Sequence, residues 1–303
     1  MFVHKAMHTL ITTPRARVIL LIGALATAGC GKPADDAPAQ GSISVQLSRS
    51  RVALGSPVDV TYKFTLSGSA TSLGARKVFV HFMDADGEQM WTDDHDPPTP
   101  TTAWKPGQTV EYTRTVFAPV YPYVGQAKIV AGLYDPASGD RVKLSGTDAG
   151  GRAYETTQFE LLPQTENIFL IFKDGWHAVE AAADNSMVEW QWTKKEATLA
   201  FRNPRRDAVL YFQADNPATA ATAATALELR LGDQVLATVP LGREGPVLKI
   251  PLTAAALGGG DMVELKLVAD RTFVPALEPG AKSNDPRELG ARVFHAFVQP
   301  QGS

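Results

Sequence analysis

From Val58 to Leu66 the chain alternates without a break: Val58, Val60, Tyr62, Phe64 and Leu66 are apolar, and Asp59, Thr61, Lys63 and Thr65 between them are polar. A period of two places all five apolar side chains on one face of a pleated strand, which a helix of 3.6 residues per turn cannot do. Ile43, Val45 and Leu47 repeat the pattern, and Lys77 to Met83 reads as a central strand with both faces apolar. Asp86-Gly87 then marks a hairpin turn. Further runs at Thr109 to Phe117, Ala127 to Tyr134 and Tyr154 to Leu162 are separated by Pro-Gly, Asp-Pro and Ser-Gly punctuation. Short strands at this spacing predict a β-sandwich over 43–163.

Pro163 to Asn167 breaks the series, and a second one starts with the apolar run Ile168 to Phe172. Strands are predicted at Val188 to Trp192, Ala197 to Phe201, Ala208 to Ala214, Ala226 to Leu231, Gln234 to Val239, Val247 to Leu252, Met262 to Val268 and Leu289 to Val298. Helical periodicity is confined to Thr253 to Leu257, a single turn stopped by Gly258 to Gly260. Pro217 to Thr225, an alanine- and threonine-rich stretch, reads as a loop, with a short helix as its alternative. The expectation is all-β: two tandem antiparallel sandwiches, 43–163 and 164–300, each large enough for its own core.

Ahead of them, Val18 to Ala28 is a short apolar run preceded by Arg15 and Arg17 and closed by small residues. Eleven residues are too few to cross a hydrocarbon core of about 30 Å, so the run reads as a secretory leader over 1–29. Leu25-Ala26-Thr27-Ala28-Gly29-Cys30 resembles the lipoprotein box of bacteria, which implies that Cys30, the sole cysteine, is acylated and becomes the mature N-terminus. The alternative is an ordinary leader with an incidental cysteine. Gly31 follows the cysteine where an inner-membrane retention signal carries Asp, so the resemblance implies the outer membrane, facing the periplasm. Residues 30–42, rich in Pro, Ala and Asp, then form a tether spanning roughly 30 Å when extended. A single cysteine, spent on lipid, leaves no disulfide to expect.

The net charge is −3, and loss of a leader holding Lys5, Arg15 and Arg17 makes the remainder more acidic. Nucleic acid is excluded as a partner, since its binding needs clustered Lys and Arg to displace counterions. No Gly-x-Ser-x-Gly elbow, His-Glu-x-x-His pair or phosphate-cradling Gly-rich loop occurs, so no catalytic residue and no cofactor are assigned. A glycosidase pair assembled by the fold would escape such a search, which leaves Glu166, Glu180 and Glu189 open. Asp94, His95 and Asp96, near His81, Asp84 and Asp86, are weak candidates for a metal. Their spacing fits a hydrogen-bonded loop better, and no metal is assigned.

Flat aromatic rings beside polar side chains suit sugar rings. Trp176 and the Tyr121-Pro122-Tyr123 loop are the candidate platforms; Trp190 and Trp192 share one strand face and read as core, and Trp104, before Lys105-Pro106-Gly107, as a corner. Arg287, in Asp285-Pro286-Arg287-Glu288, reads first as a loop clamp and second as a binder of an acidic sugar.

Val80-His81-Phe82-Met83-Asp84, the Asp94-to-Pro98 loop, Trp104-Lys105-Pro106-Gly107 and Gly132-Leu133-Tyr134-Asp135 with Gly139 and Arg141 resemble an accessory β-sandwich of bacterial envelope proteins. That module often follows the membrane part of large glycosyltransferases. Gly175-Trp176 with Glu180, Trp190, Trp192 and Asp285 to Gly290 resemble a second sandwich from surface-polysaccharide machinery. The resemblance implies an Ig-like sandwich followed by one like a jelly roll or carbohydrate-binding module. It also implies a lipid-anchored, non-catalytic role in exported glycan pathways, with glycan or envelope assembly proteins as partners. The alternatives are a structural lipoprotein working through protein contacts, and a glycan-cleaving hydrolase.

Overall fold

A computed structural model describes residues 36–183, 188–218, 222–243 and 245–302. The apolar leader, the acylation expected at Cys30 and the start of the tether lie outside these residues. Pro38 to Ser303 group into one compact unit.

The first set of strands is β1 (Gly41–Leu47), β2 (Arg51–Ala53), β3 (Pro57–Leu66), β4 (Lys77–Met83), β5 (Gln89–Thr92), β6 (Thr109–Phe117), β7 (Gly125–Tyr134), β8 (Thr147–Asp148) and β9 (Tyr154–Leu162). One sheet has the order β1-β3-β6, and the facing sheet β2-β9-β7-β4-β5, with β8 on β9. This is an Ig-like sandwich. The alternating strand behaves as its pattern dictates: Val58, Val60, Tyr62, Phe64 and Leu66 are buried, and the polar residues between them face outward. The predicted hairpin is present, Asp84 Oδ1 accepting from the N–H groups of Asp86 and Glu88 while Gly87 supplies φ +83°. One pairing departs from the antiparallel expectation. After Ser48 to Ser50 the chain crosses to the second sheet, and β2 arrives parallel to β9.

The second set is β10 (Leu170–Phe172), β11 (Glu180–Ala181), β12 (Glu189–Trp192), β13 (Glu196–Arg202), β14 (Ala208–Asp215), β15 (Ala226–Leu231), β16 (Gln234–Pro240), β17 (Leu248–Leu252), β18 (Met262–Ala269) and β19 (Arg292–Pro300), with α1 (Ala254–Leu257) between β17 and β18. Its sheets run β10-β13-β18-β15-β16 and β11-β12-β19-β14-β17. The cores of those orders, β13-β18-β15-β16 and β12-β19-β14-β17, are jelly-roll pairings. Apolar residues of both sheets fill one core, with Leu199, Leu210, Phe212, Leu227, Leu229 and Leu267 sealed from solvent. Each such side chain contributes roughly 1.5–3 kcal/mol by burial. α1 is the predicted single turn, with the Thr253 hydroxyl accepting from the Ala256 N–H as its cap.

Two predicted strands are shorter than their apolar runs. β10 keeps only Leu170–Phe172 and lies at a sheet edge, so Phe169 and Ile171 are more than half exposed. β19 starts at Arg292 because Leu289 bonds Phe273 in both directions and the Gly290 N–H goes to the Thr193 carbonyl. The described residues of 217–225 contain no strand or helix.

Candidate functional site

The two sandwiches meet along one side. Lys249 on β17 reaches both carboxylate oxygens of Asp59 on β3, at 2.6 and 2.7 Å. Arg49 donates to Gln299 and, at 2.7 Å, to Ser56 Oγ, while the Asn167 amide donates to the Leu54 carbonyl at 2.7 Å. The rings of Phe117, at the end of β6, and His295, on β19, stack at 4.0 Å and 11°. Beside this stack opens a cleft of about 1190 Å³ lined by both sandwiches.

Its far wall depends on a β-bulge. Gln213 pairs with His295 and Ala214 with Val293, so Phe294 is an extra residue on β19. A regular strand would turn Phe294 and His295 to opposite faces, and the bulge lets both line the cleft. Behind Phe294, the Arg292 guanidinium lies over two adjoining rings, 4.8 Å from Phe294 and 4.9 Å from Trp190. Its Nε and Nη2 grip Asp215, a carboxylate only 3% exposed, at 2.7 and 2.8 Å.

The near wall is the outward end of a polar chain through the first core. Arg114 on β6 forks onto Asp93, both bonds at 3.0 Å, and Asp93 also accepts from the Tyr62 hydroxyl at 2.9 Å. His95 places Nδ1 2.6 Å from the Asp93 carbonyl, which can only accept, so Nδ1 carries the proton and Nε2 accepts from Tyr112 Oη at 2.7 Å. Burial, then the Asp93 carboxylate, raises the Tyr62 pKa; burial also raises that of Tyr112 and lowers that of His95. For Arg114, burial is the largest influence and opposes the charge, but the hydrogen bond to Asp93 and the nearby Asp93, Tyr62 and Tyr112 together outweigh it, leaving its pKa raised. Trp91 completes this wall, stacked on Phe82 at 4.7 Å, with its indole N–H buried and, among the described residues, without a partner. Burial holds the His295 pKa down at about 4, so the ring on Phe117 is neutral at ordinary pH.

Of the residues singled out from sequence, Glu189 lines the cleft, Tyr121 and Tyr123 lie beside it, and the others lie elsewhere. Trp176 packs on the second core and donates its N–H to the Thr198 carbonyl at 2.9 Å. Gly175 ahead of it has φ +84° and runs so close to the Glu196 carbonyl that a Cβ would overlap it, which fixes the approach of the indole. Tyr121 and Tyr123 are half-buried beside the cleft: Tyr121 lies 6.5 Å from Trp91, and the Tyr123 hydroxyl donates to the Gln126 carbonyl at 2.6 Å. Arg287 is a clamp, with Glu180 at 2.6 Å and Asp285 at 2.7 Å, and the Asp285 pKa is lowered chiefly by its bond to Arg287. Asp94, His95 and Asp96 do not converge. Asp94 accepts from the Val80 N–H, His95 uses both nitrogens within the core, and Asp96 pairs with Lys77 at 3.3 Å. Among the described residues no group of three or more His, Cys, Asp or Glu could hold a metal ion.

Sequence reasoning passed over Phe117, Arg114, Phe294 and His295. The sole local signal was Arg292-Val293-Phe294-His295, where a cation and two aromatic rings break the alternation of an otherwise apolar strand.

No family model matches the chain, and no curated protein does either. Among solved structures it is similar to Pseudomonas fluorescens alkylpurine DNA glycosylase AlkC bound to DNA containing an abasic site analog, at 12% identity and TM-score 0.26, over 42% of this chain and 31% of that one. It is similar also to the CBM51-2 and INT domains of Clostridium perfringens ZmpB, at 10% identity and TM-score 0.25, over 60% and 39%. The β-glucosidase of Listeria innocua in complex with glucose aligns at 11% identity and TM-score 0.23, over 40% and 16%. The chain therefore spans less than two-fifths of each of these chains.

Proposed function

We propose that this chain is a glycan-binding protein of a bacterial envelope, held at the outer membrane by acylated Cys30, which takes a saccharide into the cleft between its sandwiches and does no chemistry on it. The observation that carries the reading is the bulge on β19. It sets Phe294 beside the Phe117–His295 stack and opposite Arg114, Thr113 and Asp93, so that ring faces and hydroxyl-binding groups meet across one opening. Asp93 gives both oxygens to Arg114 and one to Tyr62, the place of an anchored acceptor rather than of a proton donor to a glycosidic oxygen.

The test is calorimetric titration of the full-length protein in detergent against fragments of envelope polysaccharide. Binding should weaken at least fivefold in Phe294→Ala while the melting temperature stays within a few degrees. Turnover of a bound fragment would replace this reading with a hydrolase. Silence across the panel would favour a second reading, contact with another protein, which the exposed Phe169 and Ile171 beside edge strand β10 support. A native mass without acyl chains on Cys30 would remove the anchor.

A further inference from the structure

Resting on that reading of the cleft, we infer that the saccharide it accepts is neutral, and that uronic-acid and phosphorylated glycans are excluded. Carboxylate and phosphate recognition relies on a guanidinium offering two parallel N–H donors to the ligand. The guanidinium that lines this cleft, Arg114, and the one behind its wall, Arg292, each have their charge paired and their Nε–Nη2 edge occupied inside the protein. Arg114 commits Nε and Nη2 to Asp93, and Arg292 commits Nε and Nη2 to Asp215. Lys249, next along the interface, is held by both oxygens of Asp59, and Asp59 also accepts from Thr115 on the cleft wall. Arg49 is turned inward onto Ser56, Pro57 and Gln299. His295 adds no charge.

The remaining formal charge on the lining is negative. Glu189 on β12 is exposed and, among the described residues, has no ion-pair partner. An anionic sugar entering the cleft would lose water from its charge, meet no cation on the lining that lacks a carboxylate partner, and face the like charge of Glu189. A neutral pyranose meets none of these costs. Its apolar face lies against Phe117, Phe294 or Trp91, and its hydroxyls reach Thr113, Gln213 and Glu189, which accept hydrogen bonds from them.

Linkage-matched pairs of oligosaccharides, a neutral hexose oligomer and the corresponding uronate in each pair, titrated into the full-length protein at low and moderate salt, test this. The neutral member should bind at least tenfold more tightly. Glu189→Gln should tighten the uronate severalfold and so narrow the ratio between the two members, because it removes the repulsion. Asp285→Asn, at the distant Arg287 clamp, should move neither. A uronate that binds as tightly as its neutral partner, or an unchanged ratio in Glu189→Gln, overturns the inference and leaves the cleft a glycan site. Failure of both members of every pair overturns the reading of the cleft and the inference with it.

Discussion

The second sandwich carries two arginine clamps that look alike on paper and differ in what they hold. Arg287 spans Glu180 and Asp285, with 35% of its side chain exposed, and ties a loop to a short edge strand. Arg292 grips Asp215, with 19% and 4% of their side chains exposed, and lies over two adjoining aromatic rings. In the first case water could replace each partner at small cost. In the second the carboxylate has no water to return to, and the pair supports the wall of the cleft. Depth of burial, more than the presence of an ion pair, separates a fastened loop from a built surface.

That contrast predicts the largest difference. Asp215→Ala leaves Arg292 mostly buried against two rings without its anion and should lower the unfolding free energy by about 3–5 kcal/mol. Asp285→Ala leaves Arg287 paired with Glu180 and near solvent, and should cost about 1 kcal/mol or less. Urea unfolding at constant m-value measures both. Equal losses would show that the two clamps do the same work. Loss of glycan binding in Asp285→Ala at unchanged stability would place the site at Arg287.

Acid sharpens the comparison next. Burial holds His295 at about 4, below the usual histidine range, so between those two values the unfolded chain binds a proton that the folded one does not. Stability therefore rises with pH across that window and is lost as pH falls through it. Lowering the pH from 7 to 4.5 should remove about 2 kcal/mol through His295 alone, and His295→Phe, which keeps a ring on Phe117, should abolish that share of the slope. A slope unchanged in His295→Phe would assign the acid sensitivity to other groups.

The sheets were legible in the chain and the cleft was not, for a physical reason. Alternation such as Val58 to Leu66 is a local property, and a strand needs its own residues to declare which face is dry. Even the single turn at Thr253 could be read from its cap and its glycine stop. The cleft is made by register. Phe117 and His295 are far apart in sequence, and only the bulge that leaves Phe294 unpaired turns two neighbouring side chains the same way. The seat of Trp176, the tryptophan read as a platform, has a related origin. Trp176 follows a conspicuous glycine, yet that glycine serves a close backbone approach that seats the indole against the core. In the first sandwich Arg141 lies 4.3 Å over the Phe79 ring, and Arg76 pairs with Asp135.

The two indoles make the smallest and most discriminating test. Trp176 sits where the sequence pointed, and its N–H is satisfied by the Thr198 carbonyl; Trp91 sits on the cleft wall, and its N–H is buried with no acceptor among the described residues. Replacing either by Phe removes similar ring volume, so packing losses are comparable and the polar terms decide the order. Trp176→Phe removes one of the two hydrogen bonds to the Thr198 carbonyl, which keeps the Lys173 N–H, and costs the net worth of one bond, about 1 kcal/mol, whereas Trp91→Phe deletes a donor already desolvated without return. Trp91→Phe should therefore be the less destabilising of the two by about 1–2 kcal/mol, and its smaller face should still weaken binding of a neutral glycan by a factor of a few. If Trp176→Phe instead weakens binding and Trp91→Phe does not, the saccharide lies on the second sandwich alone and the cleft loses its role.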